Sequence, residues 1–231
     1  MLRAWQPFVL AAAACTSSSA PPNRELHRHM RSHMDAVMDL QADLVGGRLA
    51  HAREMAAWLA QHDTRFDPLE TRDGELQHAA EAIAKAPDLA SAAAGVGRLG
   101  RACGSCHQAH AANVDAFFVQ TRLPAAQPTL EAQMARHAWA ARRLWEGVVT
   151  PSHSAWLAGA QIMVTSAIDL TRTTNAKPNE RVVELSEEMR AFATRALDMS
   201  DHDARASLYG EMLVTCVQCH SIVRPNAVSA P

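Results

Sequence analysis

The strongest constraint on the fold is a pattern of apolar positions that occurs twice in the 231-residue chain. Successive positions of the pattern lie alternately four and three residues apart, which is the spacing of a helix that packs one face in a bundle. The second copy follows the first at a constant offset of 104 residues. The positions are Leu26, Met30, His33, Val37, Leu40 and Leu44 in the first copy, and Leu130, Met134, His137, Ala141, Leu144 and Val148 in the second.

Three more helical patterns in each half extend this repeat. The predicted second helices carry Leu49, Ala52, Ala56 and Leu59, matched at an offset of 108 residues by Leu157, Ala160, Val164 and Ala167. The third helices carry Leu76, Ala80 and Ile83, and then Val182, Leu185, Met189 and Phe192; the last carry Val96 and Leu99, and then Tyr209 and Met212. The larger offset of the second pattern predicts a longer turn before it in the second half.

Composition and turn signals favour an all-α fold. Apolar residues make up 48% of the chain, with ten Gly and a single Tyr, a balance that suits packed helices better than sheets. Gly46-Gly47 and Thr150-Pro151 read as helix ends, and Asp88 and Asp201 as N-caps. Short connections favour antiparallel neighbours. We therefore expect two tandem antiparallel four-helix bundles, at residues 24–118 and 131–224, with a linker over 119–130.

The first residues predict export. Residues 1–14 carry one positive charge and then an apolar run, as a signal peptide does, and residues 15–23 read as a flexible tether. Small residues precede Cys15, as at a bacterial lipoprotein cleavage site, which predicts a lipid anchor on that cysteine. The alternative is ordinary cleavage near Ala20. Either kind of cleavage predicts a periplasmic protein. A formal charge of −2 gives no strong electrostatic field that would attract nucleic acid.

The remaining four cysteines form two C-x-x-C-H motifs, one at the end of the last helix of each half. This motif is the attachment signature of c-type haem: two thiols one helical turn apart bond the porphyrin, and the adjoining histidine binds the iron. A Cys₄ zinc site would bring its pairs closer in sequence, and a redox dithiol would lie in a βαβ unit. The expected haem-binding thiols are those of Cys103, Cys106, Cys216 and Cys219, and the expected proximal ligands are His107 and His220.

A histidine interrupts the apolar pattern of the first helix in each half. In an up-down-up-down bundle the start of the first helix lies near the end of the fourth, so His33 is expected near His107 and His137 near His220. An inward imidazole needs a partner, and haem iron would supply one. A hydrogen-bonded core histidine is the alternative role, and the rival ligand is Met30 or Met134, one turn earlier on the same face.

A haem motif closing the last helix of a four-helix bundle resembles the cytochrome c′ class, and this chain resembles two such units in tandem. The resemblance is specific at the two motifs and architectural elsewhere. It implies two covalently bound haems and either periplasmic electron transfer or small-ligand binding at iron. Many cytochromes c′ have an apolar distal face and five-coordinate iron, whereas this chain offers His33 and His137.

We therefore expect a periplasmic dihaem electron carrier rather than an enzyme, with periplasmic or membrane redox proteins as donor and acceptor. Neither a catalytic triad nor a phosphate-binding loop is evident in the sequence. A haem-based sensor or binding protein for a diatomic gas is the second interpretation. A haem-free zinc or structural protein is the third.

Overall fold

The computed structural model describes residues 24–62, 74–110, 112, 121–166 and 179–223, and these residues form eight α-helices with no strand among them. The expected all-α class is confirmed. In chain order the helices are α1 Arg24–Val45, α2 Leu49–Gln61, α3 Glu75–Ala84, α4 Leu89–Ala109, α5 Leu130–Val149, α6 His153–Thr165, α7 Glu180–Leu197 and α8 His202–Val223.

Several sequence predictions fall outside the described residues, namely the export signal at 1–14, the tether at 15–23 and the lipid anchor at Cys15. Within the part of the chain that the structure describes, none of the helices has both the length and the apolar character needed to cross a bilayer.

In the first half, α1 to α4 each pack against the next helix in the chain. The turn between α1 and α2 passes through Gly47, whose φ of +80° suits glycine. Helix α4 begins after Asp88, whose side chain accepts a hydrogen bond of 2.7 Å from the backbone N–H of Ser91. The predicted N-cap is therefore present, and it satisfies one of the free N–H groups of the first turn.

The second half repeats this order, since α5 packs on α6, α6 on α7 and α7 on α8. Asp201 precedes α8 and accepts a 2.8 Å hydrogen bond from the N–H of Ala204, as Asp88 does for α4. The turns before α2 and α6 have the same length, and both helices have 13 residues, so the offset is 104 here as well.

The predicted offset of 108 for the second helix is therefore wrong. The buried positions of α2 recur in α6 at an offset of 104 residues. They are Ala52, Ala56 and Leu59 in α2, and Trp156, Ala160 and Met163 in α6. Leu157 and Val164 are only half-buried. Trp156 and Met163 fill the core positions. Because Leu157 and Val164 are apolar and directly follow them, the sequence alone did not distinguish the two registers.

The two halves pack together through α4 and α8, the most extensive helix pair in the described structure. Gly97 and Gly210 lie at the crossing: a Cβ on Gly97 would lie 2.5 Å from the Ala206 carbonyl oxygen. The helices run antiparallel, because the end of α4 lies beside the start of α8, with Arg101 and Asp203 3.9 Å apart. The interface was not predicted from the sequence, because each glycine is isolated in its own helix.

The apolar patterns of the helices form most of one continuous core that spans both halves. Leu130 is an exception at the first residue of α5, where its side chain is 37% exposed. Trp145 and Trp156 are fully buried, as their size suggests. The Trp156 indole N–H donates a 2.7 Å hydrogen bond to the Ala196 carbonyl, which ties α6 to the end of α7.

Candidate functional site

The two C-x-x-C-H motifs lie in the last turns of α4 and α8, and their four cysteines are free thiols of intermediate exposure. Cys103 and Cys216 each lie six residues beyond the glycine at the crossing, on helices that run in opposite directions. At 1.5 Å per residue each is about 9 Å from the crossing. The motifs are therefore roughly 18 Å apart along the helix pair, at opposite ends.

The first motif lines a cavity of about 70 Å³ between α4 and α1. The cavity brings Cys103, Cys106 and His107 together with His33 and Met30. These are the attachment residues and both distal candidates predicted for the first half. The rest of the lining is apolar and comes from five helices: Met34, Val37, Leu59, Leu76, Leu99, Trp145 and Val149.

The second motif lines a separate and larger cavity of about 420 Å³. It holds the corresponding set of Cys216, Cys219 and His220, with His137 and Met134 from α5. Part of its wall comes from α1, in the other half of the chain: Met38, Gln41, Ala42 and Val45. The two cysteine pairs therefore face different cavities and do not come together as a Cys₄ set.

His107 is held by a backbone carbonyl from the second half. Its Nδ1–H donates a 2.8 Å hydrogen bond to the carbonyl oxygen of Val149, at the end of α5. A carbonyl only accepts, so the proton is on Nδ1 and the lone pair is on Nε2. Burial lowers the pKa of His107, partly offset by the bond to Val149. A neutral imidazole with its other nitrogen held by a carbonyl is the usual state of a metal-binding histidine.

His33 and His137 make equivalent hydrogen bonds to backbone carbonyls. The Nε2–H of His33 donates to the carbonyl of His62 at 2.9 Å, and that of His137 donates to the carbonyl of Ser166 at 2.5 Å. Both pairs lie at the same offset of 104 residues. Burial lowers the pKa of His137, the bond to Ser166 raises it, and nearby His220 lowers it further. The accepting lone pair of each distal candidate is therefore on Nδ1.

The surroundings of the two distal candidates differ. His33 is 7% exposed and lies between His29, with ring centroids 4.3 Å apart, and the edge of Trp58, at 5.7 Å. On the His137 side, the Arg136 guanidinium donates a 3.1 Å hydrogen bond to the Ser166 hydroxyl. Aromatic and imidazole rings therefore surround His33, whereas hydrogen-bonding polar groups lie beside His137.

Thiolate formation is disfavoured at three of the four cysteines. Burial raises the pKa of both Cys103 and Cys216 to about 12, and that of Cys219 is also raised. Catalytic redox dithiols instead lower a cysteine pKa below that of a free thiol. The geometry does not provide the electropositive, exposed thiolate that thioredoxin-like chemistry needs.

Each half contributes residues to the site of the other, and these residues were not predicted from the sequence. Trp145, on α5, lines both cavities, and Val149 holds His107. Gln41 and Val45, 104 residues earlier, line the second cavity. These contributions from the opposite half can be recognised only when the two halves are aligned and α4 is known to pack on α8.

The donor sets suit a covalently attached porphyrin better than a bare metal ion. Each cavity presents two thiols on one helical turn, an imidazole beside them and a second imidazole on another helix. The volume of the second cavity lies within the roughly 300–1,000 Å³ usual for cofactor sites. The first cavity, at about 70 Å³, would have to widen to hold the same group. Among the described residues, no three or more His, Cys, Asp or Glu side chains converge as metal ligands.

Comparison with known proteins gives no further guide to function, since the chain matches no family model, no curated protein and no solved structure.

Proposed function

We propose that this chain is a dihaem c-type cytochrome that transfers electrons in the periplasm. One observation carries the proposal. In each half, the C-x-x-C-H motif and the histidine of the first helix line the same cavity, although 74 residues separate His33 from His107 and 83 separate His137 from His220. A chance motif would have no reason to face an imidazole at the corresponding place in both halves.

The residues have simple roles in this proposal. Cys103 and Cys106 hold one haem c and Cys216 and Cys219 the other, through thioether bonds. His107 and His220 would be the proximal ligands, and the haem iron bound there would supply one-electron redox chemistry. The Val149 carbonyl fixes the His107 tautomer so that Nε2 is the ligating nitrogen.

His33 and His137 are the proposed distal ligands, with Met30 and Met134 as rivals in the same cavities. Ligation through Nδ1 would leave the bonds to the His62 and Ser166 carbonyls intact. A metal-binding histidine usually keeps such an outer hydrogen bond. Two imidazoles per iron favour closed, electron-transferring haems over open ones.

The architecture that we propose is two four-helix units of the cytochrome c′ type, joined along α4 and α8 rather than by a linker alone. The repeated helix order, the equal turns and the equivalent histidine bonds support this interpretation. Electron transfer, rather than catalysis, is favoured by the largely apolar lining of both cavities. Redox proteins of the periplasm or its membranes would be the partners, and Cys15 a membrane tether.

The test is expression in a host that matures c-type cytochromes, followed by a pyridine haemochrome assay and intact mass. We expect two haems per chain that survive denaturation and acid extraction. The variants Cys103→Ala/Cys106→Ala and Cys216→Ala/Cys219→Ala should each retain one. A colourless chain, or haem that is extracted by acid, would refute the proposal.

A haem-based sensor or binding protein for a diatomic gas is the second candidate. It requires that His33 or His137 stays on its backbone carbonyl without binding iron, which would leave one face of that iron open. Carbon monoxide titration of the reduced protein separates the candidates. Slow or incomplete binding at neutral pH fits bis-histidine electron carriers, and rapid stoichiometric binding fits the sensor.

A further inference from the structure

The wall that the first half contributes to the second cavity includes a buried polar side chain. Gln41 lies on α1, is only 8% exposed and lines the cavity with Cys216 and His220. Its side-chain oxygen accepts a 2.5 Å hydrogen bond from the hydroxyl of Tyr209. Burial raises the pKa of Tyr209, so the phenol keeps its proton and remains the donor of this bond.

The other end of the Gln41 amide is a donor that needs an acceptor. Nε2 is buried and has no hydrogen-bond partner among the described residues. Because the Tyr209 hydroxyl donates to the amide oxygen, Nε2 is the end of the amide that is left to meet an acceptor. Native proteins rarely leave a buried N–H donor unsatisfied, and an unlocated ligand is one of the few reasons to do so.

The equivalent position in the other half has the same property. Trp145 follows Gln41 by 104 residues, is 1% exposed and lines both cavities. Its indole Nε1 is likewise buried and has no partner among the described residues. The repeat therefore places a buried N–H donor on α1 and on α5, each beside the C-x-x-C-H motif of the opposite half.

We infer that Gln41, from the first half, binds the cofactor of the second half by donating a hydrogen bond from Nε2 to a carboxylate at the porphyrin edge. The inference rests on the proposed function. Apart from its carboxylates, the haem periphery carries methyl groups and thioether bridges, which accept hydrogen bonds weakly or not at all. Arg142 lines the same cavity and is exposed, and it adds a positive charge that favours a carboxylate.

The experiment uses the full chain carrying Cys103→Ala and Cys106→Ala, so that only the second haem is attached. Gln41→Met is compared with Tyr209→Phe, because both break the Tyr209 bond but only the first removes the donor. The readouts are the haem midpoint potential and the redox-induced infrared difference spectrum in the carboxylate region. Gln41→Met should shift a carboxylate band and lower the midpoint potential, because a less neutralised carboxylate favours ferric iron. Tyr209→Phe keeps the Nε2 donor, so it should shift both readouts less than Gln41→Met does.

Equal spectra and potentials for Gln41→Met and the unsubstituted chain would overturn the inference, as would the same shift in Tyr209→Phe. A change only in the stretching band of iron-bound carbon monoxide would also overturn it, since the acceptor would then be an iron ligand. If Gln41→Met fails to fold, Gln41→Glu keeps an acceptor for Tyr209 and should still lower the midpoint potential. Failure of the proposed function is distinguishable, because the parent chain would then carry no covalent haem.

Discussion

Gly97→Ala tests the packing of the two halves against a matched control, Gly210→Ala. A Cβ on Gly97 would lie 2.5 Å from the carbonyl oxygen of Ala206, whereas a Cβ on Gly210 would lie 3.0 Å from that of Ala94. Ordinary contact begins at 3.4 Å. The added Cβ would therefore be too close by about 0.9 Å at Gly97 and by about 0.4 Å at Gly210. Both close contacts are with backbone atoms, which cannot rotate away.

Both substitutions gain about 1 kcal/mol of helix propensity, so this contribution cancels between them. The overpacking cost of about 1–3 kcal/mol falls mainly on Gly97→Ala. We expect Gly97→Ala to have the lower free energy of unfolding by that amount. The expected difference in Tm is roughly 2–4 °C per kcal/mol for a chain of this size.

The assay is thermal and chemical unfolding, followed by circular dichroism at matched haem content. If Gly97→Ala is as stable as Gly210→Ala, or more stable than the unsubstituted chain, the two helices do not cross at these glycines. Such a result would also remove the basis for the cross-half walls of both cavities.

Three further predictions concern the ligands, a helix cap and the thiols. His33→Ala and His137→Ala should each convert one haem to a high-spin absorption spectrum, and two unchanged low-spin spectra would instead point to the methionines. The hydrogen bonds from the first turn of α4 lower the pKa of Asp88 below its ordinary 3.8, so its stabilisation is complete above that pH and is lost as pH falls through the lowered pKa. The Tm difference between Asp88→Ala and the unsubstituted chain should therefore shrink below about pH 4, and a constant difference down to pH 2 would show that the carboxylate charge does not matter. In the chain made without haem, Cys103 should react slowly with iodoacetamide. A pKa of about 12 makes its thiolate fraction at pH 8 on the order of a thousandfold smaller than that of a free cysteine. Labelling as fast as in denaturant would contradict the raised pKa.

The sequence predicted much of the local structure because local physics determines it. Alternating steps of three and four residues predicted α1 and α5, and the carboxylates of Asp88 and Asp201 predicted the starts of α4 and α8. The cavity pairing followed from the expected up-down-up-down order, which brings the start of the first helix of each half beside the end of its fourth.

What the sequence did not reveal depends on long-range packing. The α4 and α8 interface rests on Gly97 and Gly210, which in one dimension resemble any helix glycine. The register of α6 was misassigned because Leu157 and Trp156 are adjacent apolar residues and only the packed core distinguishes them. The roles of Gln41 and Val149 appear only when the halves are placed together.

The most direct test of the account is the intact mass of the mature chain from a host that attaches haem to C-x-x-C-H motifs. We predict a mass two haems above the polypeptide, falling to one haem when either cysteine pair is replaced by alanine. A mass equal to the bare polypeptide, in a preparation where a control c-type cytochrome is fully loaded, would contradict it.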